Sequence, residues 1–248
     1  MYWMKRTAKK RQNPDLVLDQ ACSIISLGIN YYVPLKHSEN PIHGKISRYA
    51  WGKDYHQVFK KRLHQLANWM KEDIPSCRGV FYSDTGPVVD KVWAHKAGLG
   101  WIGKHSNLIT RDQGSWIFLG EILLDVPLSY DKESNNFCGT CCKCIEACPT
   151  GAIVAPYVID SRLGISYLTI ELRGIIPRNL RRLIGTWIFG CDDCQDVCPW
   201  NRFSQPTTEP SFYPSEENHV PKLTKLIQLT KNEFIQNFRF SPVKRCGI

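Results

Sequence analysis

An α/β (α+β) layer followed by a cysteine-rich, metal-holding region is the fold class that this 248-residue sequence predicts. Three observations predict it. Three short apolar runs rich in β-formers, 23–30, 79–83 and 115–124, have the length of buried strands. Segments with helical spacing lie between them. Two cysteine runs, each closed by a Cys-Pro pair, follow between residues 138 and 199.

The first strand, Ser23-Ile24-Ile25-Ser26-Leu27-Gly28-Ile29-Asn30, precedes a helix that Asp54 can cap and that runs to about Lys71. Val58, Phe59, Leu63, Leu66, Trp69 and Met70 recur along it at helical spacing, which assigns them its apolar face. After the strand Gly79-Val80-Phe81-Tyr82-Ser83, Pro87 reads as the first residue of a second helix, and Gly98 as its stop. Strand 115–124 completes an α/β layer reaching about residue 130. The polar run Asp131-Lys132-Glu133-Ser134-Asn135-Asn136 reads as a linker into the cysteine region. Beyond Cys198 the chain is loop-rich from Phe203 to Lys222 and closes with a helix around Asn232–Phe238. The expected division is therefore 1–130, 131–205 and a basic C-terminal extension, 206–248.

The cysteines carry the chemistry. Cys138-x2-Cys141-x2-Cys144-x3-Cys148-Pro149 has the spacing by which bacterial-type ferredoxins hold four-iron four-sulfur clusters, and Cys191-x2-Cys194-x3-Cys198-Pro199 repeats its second half. Two-residue gaps let successive thiolates point into one cavity, while the three-residue gap before proline turns the last thiolate toward the other cluster. On that logic Cys138, Cys141, Cys144 and Cys198 hold one cluster, and Cys148, Cys191 and Cys194 hold the second, one ligand short. Cys142 is the nearest spare thiol. Zinc competes as a reading, but seven thiolates in two Cys-Pro-terminated runs exceed what one zinc needs. Disulfides compete too; no secretory leader precedes these cysteines, so a reducing cytoplasm fits better.

Composition narrows the class. The chain is 43% hydrophobic, enough for a substantial core, and no stretch approaches the ~18 apolar residues of a membrane span. Its net charge of +9 is clustered. Lys5, Arg6, Lys9, Lys10 and Arg11 come with no acid between them, the span from Lys45 to Lys71 has Asp54 as its single acid, and two further groups are Arg173, Arg178, Arg181, Arg182 and Arg239, Lys244, Arg245. Such clustering attracts a polyanion, although basic residues also merely solvate helix faces.

Three stretches together resemble the epoxyqueuosine reductase family. They are Ser47-Arg48-Tyr49-Ala50-Trp51-Gly52-Lys53-Asp54-Tyr55-His56, then Asp84-Thr85-Gly86-Pro87 through Ala97-Gly98-Leu99-Gly100-Trp101-Ile102-Gly103-Lys104, and Gly190-Cys191-Asp192-Asp193-Cys194-Gln195-Asp196-Val197-Cys198-Pro199-Trp200-Asn201. The resemblance spans nearly the whole chain. It implies an oxidoreductase of queuosine biosynthesis that reduces the epoxide of epoxyqueuosine at the wobble base of tRNAs with a GUN anticodon, and kinship to reductive dehalogenases. It also implies two four-iron clusters and cobalamin, with the α/β layer as the corrin-binding part. An external electron donor of the flavodoxin or ferredoxin type, a cytoplasmic monomer and no membrane partner complete the picture.

Removing an epoxide oxygen requires electrons, a centre able to bond carbon or oxygen, and an acid beside the leaving oxygen. The resemblance gives the acid's role to Asp84, which also reads as a turn or cap residue ahead of Pro87. Arg48, Tyr49, Asp84, Lys104, His105 and Ser115 are the expected cofactor contacts, and Tyr55 and His56 are candidates for the cavity wall. Gly98, Gly100 and Gly103 form a Gly-x-Gly-x-x-Gly string that follows a helix, so close approach of backbone to a corrin explains it better than a nicotinamide fingerprint. Where the family pattern has a cysteine before Ile165-Ser166-Tyr167-Leu168-Thr169, this chain has Gly164, which accounts for the missing thiolate. Against the family pattern the chain is also shorter before Met4-Lys5-Arg6 and after Ile248, which bears on tRNA affinity and corrin retention. Two rivals stand beside this reading: a corrinoid iron–sulfur reductase acting on a small molecule such as an organohalide, and a non-catalytic electron carrier that binds no corrin.

Overall fold

Residues 2–247 are described by a computed structural model; Met1 and Ile248, the outer ends of the expected first and last regions, lie outside the described residues. All three expected strands are present, as Ser23–Asn30, Gly79–Tyr82 and Ile117–Leu124. They form one sheet with Ile117–Leu124 in the middle, and it pairs antiparallel with both neighbours. The alternation of strands and helices therefore produces no all-parallel layer. The two outer strands run the same way, joined through a helix, and the last strand inserts between them with its direction reversed.

The first helix spans Tyr55–Asp73, and the Asp54 carboxylate accepts from the His56 backbone N–H at 3.1 Å, as a cap should. Its Tyr55, Phe59 and Leu63 are buried against Tyr31, Phe118, Ile122 and Leu124 of the sheet. Trp69 does not join them. At 59% exposure it lies off the stripe that Phe59, Leu63, Leu66 and Met70 make. The second helix begins at Asp90, not Pro87, and ends at Lys96. The residues before it form an irregular loop in which Asp84 takes a left-handed conformation (φ 55°). Gly98, at φ 74°, stops the helix as expected.

The cysteine region contains two short helices, Lys143–Glu146 and Asp193–Asp196, each carrying one thiol of a run. It is stitched to the first region, because Trp187–Phe189 pairs in parallel with Lys45–Ile46. Beside this pair Asp192 is fully buried and accepts hydrogen bonds from the Ser47 hydroxyl, the Arg48 backbone N–H (2.8 Å), the Arg48 guanidinium (3.3 Å) and His37 (3.1 Å). Arg48 also donates to Asp196 at 2.6 Å and to the Leu35 carbonyl at 3.1 Å, and it lies over the rings of Trp51 and Trp116.

The C-terminal part is woven into the same core. The helix Lys231–Asn237, capped reciprocally by Thr230 and Glu233, delivers Phe234 and Phe238 to a cluster with Val33, Ile46, Ala50, Trp51 and Phe189. Thr207 donates through its backbone to Tyr32 and through its hydroxyl to Asn30. Contacts thus cross both expected boundaries, at 130 and at 205.

Candidate functional site

The cysteines surround two separate cavities. Cys138, Cys141, Cys144 and Cys198 line one of ≈ 300 Å³, together with Lys104, His105, Ile109, Phe137, Trp200 and Phe203. Burial, and after it the thiolates of Cys198, Cys138 and Cys141, push the Cys144 thiol up to about 11. Cys198 therefore lines the same cavity as the three thiols of the first run. Lys104 donates to the carbonyls of Gly139 (2.7 Å) and Cys141 (2.8 Å), fixing the loop that presents the first thiols. Among the described residues no three His, Cys, Asp or Glu side chains gather as they would around a single metal ion. Thiols spread about a cavity suit a multi-iron core better than tetrahedral zinc.

Cys148, Cys191, Cys194 and Gly164 line the second cavity, of ≈ 480 Å³. Tyr31, Tyr49, Tyr55, Phe118, Lys91, Asn107 and His105 also line it, with Asp84 and Asp90. His105 borders both cavities. Its Nδ1 accepts from the Asn107 backbone N–H at 3.1 Å, which leaves the proton on Nε2, and that buried nitrogen has no partner. Burial, with Lys91 adding to it, pushes His105 down to about 4, so the ring is neutral at pH 7. A mostly apolar cavity with a few polar groups and one orphaned N–H fits a corrin, a largely apolar ring fringed by amides.

Tyr49 and His105 thus line the second cavity, as expected of cofactor contacts, while Lys104 lies on the first. Arg48 and Ser115 line neither. Arg48 is spent on Asp192 and Asp196, and the Ser115 hydroxyl is bonded to Asn201 and to Gln195. The glycine string does not approach the second cavity either. A Cβ at Gly98 would meet the Lys132 carbonyl at 2.5 Å, one at Gly100 would overlap the Ile109 carbonyl, and one at Gly103 would meet the Ile109 side chain at 2.6 Å. These glycines permit close packing within the chain rather than against a ligand.

Asp84 is exposed at the cavity mouth, and Tyr55 donates to its Oδ2 at 3.1 Å. Burial and the Asp84 carboxylate push the Tyr55 phenol up, so it remains a donor. The Asp84 backbone N–H donates to Asp90 Oδ2 at 3.1 Å. A non-glycine residue held at positive φ beside a cavity is a strained placement of the kind found at reaction centres. A second cavity wall meets Asp84 from outside: Lys5, Arg6, Lys9, Lys10, Arg11, His56, Glu171 and Arg245 surround a broad space of ≈ 1090 Å³ that also includes Asp84. Arg11 donates to the carbonyls of Val88 (2.7 Å) and Gly86 (3.2 Å), so it braces the Asp84 loop.

Sequence reasoning missed Glu121. It lies on the central strand opposite Ser26 and Tyr82, is fully buried, and its carboxyl meets that of Asp90. Burial first, then neighbouring Asp90, push it up to about 10, so it is a neutral acid at pH 7. A lone acid in the run Ile117-Phe118-Leu119-Gly120-Glu121-Ile122-Leu123-Leu124 was the available signal. Because the native state keeps this proton where the unfolded chain has lost it, the stability it allows is complete below the ordinary glutamate range and drains as pH rises toward about 10. Glu121→Gln should flatten that decline in a pH series of denaturant melts; an unchanged slope would assign the decline to other groups.

Comparison with known proteins places these features. Residues 137–201 match the 4Fe-4S double cluster binding domain, and residues 11–85 match the epoxyqueuosine reductase QueG model. An epoxyqueuosine reductase of Synechocystis is 49% identical over 99% of this chain and 85% of its own length. The crystal structure of an epoxyqueuosine reductase with an epoxyqueuosine-modified tRNA-Tyr stem loop superposes with a TM-score of 0.90 at 33% identity, over 96% of this chain. One from Bacillus subtilis, with its aspartate-bearing catalytic loop swung out of the active site, gives 0.89 at 32% identity, over 97% of this chain. The chain spans 64% of the length of each of these two solved chains.

Proposed function

The chain belongs to the epoxyqueuosine reductase family, and from that premise we propose that it reduces epoxyqueuosine to queuosine at the wobble position of tRNAs with a GUN anticodon. One observation carries the reading: Asp84 borders both the enclosed cavity of the cysteines and the broad basic cavity outside. A nucleotide whose backbone rests on the basic residues brings its base past Asp84 into the enclosed space.

Deoxygenating an epoxide consumes two electrons and two protons and releases water. Iron–sulfur clusters held by the thiols of the two cavities would supply electrons one at a time, and cobalamin bound beside Tyr49 and His105 would supply the reducing centre. The chain's own residues do the rest. Tyr49, Tyr55 and Phe118 wall the cavity against water, Tyr55 orients the Asp84 side chain through its hydroxyl, and Asp84 stands where a proton must reach the departing oxygen. The swung-out aspartate loop of the Bacillus subtilis relative supports giving that role to a residue on an exposed loop. No helix among the described residues is long and apolar enough to cross a membrane. In this reading the chain works as a cytoplasmic monomer fed by a flavodoxin- or ferredoxin-type donor.

A small-molecule substrate would leave the basic cavity without a partner. The affinity of an epoxyqueuosine-bearing anticodon stem-loop should therefore fall steeply with salt, since each neutralised phosphate releases counterions. Replacing exposed Lys9 and Lys10 with alanine should lower the slope by about 1 for each phosphate that is no longer neutralised. Arg11 is unsuitable for this test, because it braces the Asp84 loop. Filter binding across a salt series measures the slope, and an affinity indifferent to salt would transfer support to the small-molecule reductase.

A further inference from the structure

The second cysteine cavity contains three thiols and, where a fourth would complete it, Gly164. We propose that the second cluster of this chain is held by three thiolates, and that its fourth iron, bound by no cysteine, takes a small exchangeable ligand such as hydroxide or a low-molecular-weight thiol. The inference rests on the two-cluster reading and not on the identity of the RNA substrate.

Among the described residues no spare cysteine lines that cavity. Cys142 is exposed and bonded to Glu146 at 2.7 Å. Cys77 is buried in the sheet core, Cys246 is bonded to the Thr169 carbonyl at 3.4 Å, and Cys22 is exposed. The recruitment of Cys142 considered from the sequence would require its helix start to turn inward, away from that partner.

Space does not explain the glycine. A Cβ built at Gly164 meets nothing closer than the Ser161 carbonyl at 3.4 Å, an ordinary contact, and Gly164 is not among the positive-φ residues. Cysteine would fit there. What the chain gives up is thus a ligand and not a backbone constraint. The same cavity is bordered by Asp84 and Tyr55, so a cluster held there would share its space with the reaction site. An iron without a thiolate is the one a cluster releases first and the one that exchanges ligands, and ligand identity sets cluster potential.

The test uses the full chain, reconstituted anaerobically with iron and sulfide, beside Gly164→Cys and Cys142→Ala. Mild oxidation with ferricyanide should take one electron from the second cluster and release one Fe2+, converting a 2+ four-iron cluster to a 1+ three-iron cluster. We expect wild type and Cys142→Ala to lose about one iron per chain and to show the magnetic-resonance signature of a three-iron cluster, reversed by added Fe2+ and reductant. Gly164→Cys should retain that iron. Added 2-mercaptoethanol should shift the reduced-cluster spectrum of wild type and leave that of Gly164→Cys unchanged. Two oxidation-resistant four-iron clusters in wild type would overturn the proposal, as would loss of the second cluster in Cys142→Ala alone. If neither wild type nor Gly164→Cys took up a second cluster, the two-cluster reading itself would fall.

Discussion

Asp84→Asn should leave the cysteine cavities and the fold intact and slow epoxide reduction by about 10²–10⁴-fold, the range for loss of a general acid. Asparagine has the same size, tolerates the left-handed backbone that Asp84 adopts, and still offers an oxygen to the Tyr55 hydroxyl. It lacks only the acidic proton. Single-turnover reduction of an epoxyqueuosine-bearing stem-loop, with the cofactors already reduced, isolates this step from electron delivery. If Asp84 were only a turn residue, the variant would turn over almost normally, and that result would remove it from the mechanism.

Arg48→Ala should cost about 3–5 kcal/mol, because it leaves Asp192 buried without its guanidinium partner. Against a total stability of about 5–15 kcal/mol, this is a large fraction, visible as a fall in Tm on the order of 10 °C. Arg48→Lys should recover little, since one ammonium cannot reach Asp192, Asp196 and the Leu35 carbonyl together. A loss under about 1 kcal/mol would mean that His37 and Ser47 satisfy Asp192 without help.

What the sequence disclosed was local or fixed by covalent spacing. Strand 23–30 and the Asp54 cap are set by neighbours in the chain, and the partition of the cysteines follows from gaps of two and three residues. Asp84 was legible through family resemblance, and its place between two cavities was not. The misreadings share a cause, since each depended on partners far away in sequence. Arg48 was assigned to the cofactor because nothing near it in the chain announces Asp192, 144 residues on. Gly100 and Gly103 answer to the side and main chain of Ile109. The helix around Asn232–Phe238 was placed in a C-terminal extension, and its place in the core comes from Trp51 and Phe189, distant in sequence.

The parallel pairing of Lys45–Ile46 with Trp187–Phe189 bears on how the protein is made. A ribosome adding about 5–20 residues per second leaves roughly 7–30 s between the emergence of Lys45 and that of Trp187, and the aspartates that pair with Arg48 come later still. Throughout that interval the nascent chain presents an unpaired strand edge and a cation without its counter-charge, so folding here waits on synthesis. Chaperone occupancy should concentrate on nascent chains from which Trp187–Phe189 has not yet emerged and fall once that strand has left the exit tunnel.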